Sequence, residues 1–163
     1  MNNKRQVLLI VFIVLGVLIR LLPHPPNFTP ILGIALFGGT MFTNKWLAVL
    51  VPLITMFISD VYIGFYPISF WVYGSLGVIG VLATYWKAIN IKNVLLSSVI
   101  FFIVTNFGVW VMGGYPKDIT GLILCYTMAI PFFTNTIAGT LFFSYLLKWT
   151  FTYCENKLTY IHV

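Results

Sequence analysis

The chain of 163 residues is 60% hydrophobic and 7% charged, with a formal net charge of +6. A water-facing surface needs about a quarter of its residues charged, so a soluble domain is excluded and a chain lying in lipid is expected. The nine lysines and arginines are scattered between apolar runs, which points to membrane topology and away from nucleic acid.

Six apolar segments follow one another: Gln6–Leu22, Ile31–Phe42, Trp46–Phe65, Phe70–Trp86, Asn93–Met112 and Ile119–Leu147. The first follows Lys4 and Arg5, as the apolar core of a signal peptide would. Yet Pro23–Thr29 offers no small-residue cleavage site, so a retained helix is expected. Pro23, Pro25, Pro26 and Pro30 then break any helix, because each lacks a backbone donor and restricts the residue before it. This knot holds His24, Asn27 and Thr29. Asn27 and Thr29 are suited either to capping the next helix or to contacting a ligand.

The second segment is short. At ~1.5 Å per residue its twelve residues cover ~18 Å of a ~30 Å hydrocarbon layer. It is therefore expected either to start within Asn27–Pro30 or to be a half-helix whose proline-rich entry is shielded by protein. The third carries Asp60, the single acid inside any span. A carboxylate there must face the interior, either as a ligand or proton site or as a structural partner of the His24 turn or Arg20. In the fifth, Asn106 and Trp110 are four residues apart and share a face. The sixth carries Tyr126 and Asn135. It is ~44 Å long if straight, and Pro131 is expected to kink it. Small residues at Ala35, Gly39, Gly74, Gly77 and Gly80 read as helix-packing positions.

With the N-terminus in the cytoplasm, Lys4, Arg5, Lys45, Lys87, Lys92, Lys148 and Lys157 fall inside, and Arg20 and Lys117 outside. That asymmetry fits an even number of spans with both termini inside. No Ser/His/Asp set, HExxH motif or phosphate loop occurs. Cys125 and Cys154 form no CxxC. Neither an enzyme, a cofactor nor a metal site is therefore expected.

Pro-His-Pro-Pro-Asn-Phe-Thr-Pro-Ile at 23–31, Ala-Leu-Phe-Gly-Gly at 35–39, Ser59-Asp60 with Gly64, Thr-Asn-Phe-Gly-Val-Trp at 105–110, Cys125-Tyr126 and Ile-Pro-Phe-Phe with Asn135 closely resemble an uncharacterised family of small bacterial integral membrane proteins. That family is similar in size and span number to the substrate-binding S components of energy-coupling-factor vitamin transporters. The resemblance implies an all-α six-helix bundle, a single domain over residues 1–163. It further implies an outward cavity for a vitamin or other micronutrient, and an ATPase-coupled membrane subunit as partner. The Ala-x-x-x-Ala coupling pattern of S components is absent, since Gln6–Leu22 contains no alanine; this leaves a solitary transporter open.

The expected ligand residues are His24, Asn27, Thr29, Asp60, Asn106, Trp110, Tyr126 and Asn135. A non-transporting scaffold, resembling membrane subunits of cell-wall elongation machinery, and a proton-coupled carrier using Asp60 stand as alternatives.

Overall fold

The computed structural model describes the backbone of residues 3–42, 44–86 and 88–160, and the side chains of 10–42, 44–86 and 88–154. Lys87 and the side chains of Lys4, Arg5 and Lys157, which enter the charge asymmetry, lie outside the described residues. The protein is all-helical: α1 (Asn3–Leu21), α2 (Ile31–Met41), α3 (Lys45–Ile63), α4 (Ser69–Ala83), α5 (Ile91–Met112) and α6 (Ile119–Tyr160).

The short helix α2 is the axis of the bundle. It packs against each of the other five helices, which surround it in the order α1–α3–α4–α5–α6, with no close backbone approach between α1 and α6 among the described residues. Residues Ile31 to Gly38 are all buried, as expected of a helix apolar on every side. Its glycines set the approach distances. A Cβ on Gly33 would stand 3.0 Å from the Ser144 backbone of α6, and one on Gly39 would overlap Ala83 of α4. In lipid no water is displaced when helices meet, so such close contact supplies the attraction through dispersion.

Phe37 illustrates this. It is fully buried and takes Phe12, Phe42 and Phe151 edge-on at centroid distances of 5.1, 5.6 and 5.3 Å. These are favoured ring geometries.

Polar side chains mark the helix ends. Asn44 and Asn90 accept from the backbone N–H groups of Trp46 and Asn93 at 3.0 and 2.9 Å. Asp118 accepts from Gly121 N at 2.7 Å at the start of α6. Pro52, inside α3, has no N–H to offer the Ala48 carbonyl one turn back. Gly80 of α4 lies over that oxygen, where a Cβ would stand at 2.9 Å.

Three helices, Lys45–Ile63, Ile91–Met112 and the stretch Ile119–Cys154, are long and apolar enough to cross a membrane. The apolar helices Ile10–Leu21, Ile31–Met41 and Ser69–Ala83 are shorter. Outward-facing side chains are largely apolar, with Ile10, Phe57, Phe70, Val81, Ile103 and Phe142 all exposed. The helices match the expected segments to within a few residues except at one point. α6 runs 42 residues, to Tyr160, where the apolar run ends at Leu147. Falling hydropathy marks where lipid-compatible surface stops. It does not stop a backbone that meets neither glycine nor proline after Gly139.

Candidate functional site

The proline knot builds one end of the bundle. Phe28 N donates to Pro25 O at 3.0 Å, and Asn27 has φ 65°. Proline followed by a residue of positive φ is the pattern of a type II turn, and asparagine tolerates that φ better than any other side-chain-bearing residue. The turn is moored to α6. Asn135 Nδ2 donates to Pro26 O at 3.0 Å, Phe28 rests on Phe142 and Phe143, and Gly139 leaves room for the Phe28 backbone. Helix α2 starts at Pro30 without a side-chain cap. Asn27 and Thr29 therefore do not cap it.

Beneath the turn lies a charged pair. Phe12, Gly16 and Arg20 recur every four residues along one face of α1. Gly16 has no side chain to hold α1 off Thr55 of α3. That approach lets the Arg20 guanidinium reach α3, where its Nη1 donates to Asp60 Oδ1 at 2.9 Å, to Ser59 Oγ at 2.5 Å and to Met56 O at 3.3 Å. The other carboxylate oxygen accepts from Tyr73 of α4, whose hydroxyl lies 2.8 Å from Asp60 Oδ2.

Asp60 is 1% exposed and the Arg20 side chain 12%. An acid in the last turn of α3 opposes that helix's dipole. A base in the last turn of α1 complements its own. Pairing the two resolves the conflict while tying α1, α3 and α4 together.

Arg20 also lines a cavity of about 200 Å³. Asn27, Thr29 and Thr136 are the other polar groups on its wall, and Ile31, Leu32, Met56, Val72, Leu76 and Phe101 supply the apolar part. All of Arg20's side-chain hydrogen bonds run through Nη1. Nε and Nη2 therefore keep three N–H donors without a partner among the described residues. Exposed Asn27 and half-buried Thr29 place the mouth of the cavity at the proline turn.

The eight expected ligand residues thus divide. Asn27 and Thr29 line the cavity, and Asp60 stands behind Arg20, off the wall. The other five lie elsewhere. His24 Nδ1 is 2.6 Å from Leu22 O, which makes it the protonated nitrogen of a local turn. Asn106 Nδ2 donates to Phe102 O within α5 at 2.8 Å. Trp110 Nε1 donates to Pro116 O at 2.9 Å, and Lys117 sits over its ring and donates to the Trp110 carbonyl. Tyr126 Oη donates to Ile103 O at 2.7 Å, beside a separate shallow groove between α5 and α6. Asn135 holds the turn, as described.

Arg20, Tyr73 and Thr136 are the residues that the sequence reading left out of the site. The available signal was a base in the apolar first segment and an acid in the third, each without a partner in its own segment. No cluster of three or more His, Cys, Asp or Glu occurs among the described residues.

Fold and site together define an all-helical bundle with an apolar exterior, three helices long and apolar enough to cross a membrane, and a small, mostly apolar cavity backed by a buried ion pair. The chain belongs to DUF6580, a family of unknown function, which it matches over residues 1–161. Neither a curated protein nor a solved structure matches it.

Proposed function

We propose that this is a membrane-embedded solute-binding protein that captures a small metabolite in the cavity at the proline turn. The observation that carries the reading is the state of Arg20. A guanidinium in an apolar bundle is costly. This one meets its counter-ion with one nitrogen, keeps three further donors without a partner among the described residues, and lines the cavity. An apolar wall with a few placed polar groups is the usual make-up of a small-molecule site. At about 200 Å³ the cavity lies below the ~300–1,000 Å³ of drug-sized sites, so the solute is small.

The excess of lysine and arginine on the opposite side favours a mouth facing away from the cytoplasm, in a bacterial inner membrane with both termini inside. Capture there suits uptake of a vitamin or other micronutrient, with energy drawn from a coupled membrane subunit with an ATPase, or from the membrane potential. Native mass spectrometry of gently purified protein tests the reading. A co-bound metabolite should be present in the wild type and lost when Val72→Trp fills the cavity at equal membrane level. Identical spectra for the two proteins would sink it.

A second reading, a scaffold subunit of a larger complex, draws on Asn106, Trp110, Tyr126 and Asn135 all donating to backbone carbonyls of this chain. Those side chains act as internal fastenings. A stable protein partner on pull-down, with no retained small molecule, is the outcome that reading requires.

A further inference from the structure

The geometry points to an uncharged solute bearing a carboxamide or lactam group, with Asp60 as the residue that turns carboxylates away. This deepens the solute-binding reading and rests on it. Arg20 is the one charged group on the cavity wall, and its charge is already matched by Asp60 at 2.9 Å. A carboxylate on the free edge of the guanidinium would meet the Asp60 charge just across it. The surrounding wall of Leu32, Met56 and Leu76 offers little screening of that repulsion. It would also lose its own hydration for a site whose net charge is zero, which is the costly case for an ion.

The unpartnered polar groups point the same way. Nε and Nη2 of Arg20 are donors only. The Asn27 amide and Thr29 hydroxyl have no side-chain partner among the described residues and can both donate and accept. Thr136 donates to Phe132 O at 2.9 Å, which leaves its oxygen to accept. The wall therefore presents donors from Arg20, groups at Asn27 and Thr29 that donate or accept, and an acceptor at Thr136. An amide edge satisfies donors and acceptor with its C=O and N–H. A carboxylate satisfies the donors, Asn27 and Thr29 included, but offers no proton to the Thr136 oxygen, whose own proton is given to Phe132 O.

Benzamide and benzoate form a near-isosteric probe pair for the purified protein in detergent, with binding read by ligand-observed NMR. Wild-type protein should bind benzamide at least tenfold tighter than benzoate. Asp60→Asn should shift that ratio at least tenfold toward benzoate. Thr136→Val, which removes the acceptor and keeps the shape, should weaken benzamide and leave benzoate unchanged. The wild-type ratio decides even where Asp60→Asn fails to fold. Benzoate bound as well as benzamide, and lost in Val72→Trp, would overturn the amide class and leave the cavity standing as a solute site. Neither probe bound at millimolar concentration, or binding that survives Val72→Trp, would overturn both.

Discussion

Arg20 and Tyr126 each reach from one helix to its neighbour through an apolar bundle, and they leave different surroundings behind. Tyr126 donates its one proton to Ile103 O, and nothing polar faces the groove beside it except Thr127. Arg20 uses one nitrogen on α3, has no partner for the others among the described residues, and lines a cavity with Asn27, Thr29 and Thr136. Along the α5–α6 seam, Asn106, Trp110 and Tyr126 each donate to a carbonyl of the chain itself, although the buried hydroxyls of Ser98 on α5 and Ser144 on α6 have no partner among the described residues. Around the proline turn, the free donors belong to a charged side chain that lines a cavity. In a membrane bundle a polar side chain is costly in either place. What separates a fastening from a site is the hydrogen-bonding capacity left over once the fold is made.

The largest effect expected from breaking this contrast is at Arg20. Arg20→Met leaves Asp60 buried without its counter-charge, which typically costs about 3–5 kcal/mol. The double variant Arg20→Met/Asp60→Leu should recover most of that loss, because a buried pair replaced by apolar residues is often neutral. Unfolding in mixed detergent with urea measures both. A double variant as unstable as the single one would show that the pair is not what holds α1 to α3. Solute binding should be lost in both, which separates the role in the fold from the role in the cavity.

Next in size is Tyr73→Phe. It strips one partner from a carboxylate that is 1% exposed, at about 1–3 kcal/mol. Because Asp60 then leans on Arg20 alone, solute affinity should change along with stability. An effect on stability with unaltered binding would place Tyr73 outside the site.

Most of the architecture was legible in the residues, for physical reasons. Apolar runs of this length, separated by proline, glycine and polar residues, are read as helices, since a helix satisfies its backbone in lipid within one segment and a barrel strand would be shorter and alternating. A twelve-residue run too short to span left two readings, a start within Asn27–Pro30 or a half-helix with a shielded entry. α2 starts at Ile31, and what is buried is the helix from Ile31 to Gly38, while Pro23, Pro25, Pro26 and Asn27 before it are exposed. The end of α6 was not legible, because hydropathy reports surface and not backbone.

The site was legible in part. Asp60 was marked as an interior acid with Arg20 among its possible partners, but Arg20 itself read as an outer-side topology charge. Its role depends on Gly16 letting α1 approach α3, and that is a contact between segments about 40 positions apart. Asn106 and Trp110 do follow one another at helical spacing. Spacing alone could not show that Asn106 bonds back to the carbonyl four residues earlier, a local satisfaction open to any short polar side chain in a helix. Asn27 had two readings, cap or ligand contact. Its φ of 65° decides against the cap, because the turn, and not α2, takes its backbone.

The smaller effects sharpen the contrast from the seam side. Tyr126→Phe removes a bond between α5 and α6 and should cost about 1 kcal/mol, with solute binding unchanged. Asn135→Ala should cost much less, since Pro26 O sits at the exposed turn where water can replace the lost donor. Yet Asn135 belongs to both regions. Its amide moors the backbone that carries Asn27 and Thr29 on the cavity wall, although it does not itself line the cavity. Asn135→Ala should therefore weaken benzamide binding severalfold at almost unchanged stability, the reverse of Tyr126→Phe. If the two variants behave alike, the turn is held by Phe28 against Phe142 and Phe143 alone, and the polar mooring adds nothing to the site.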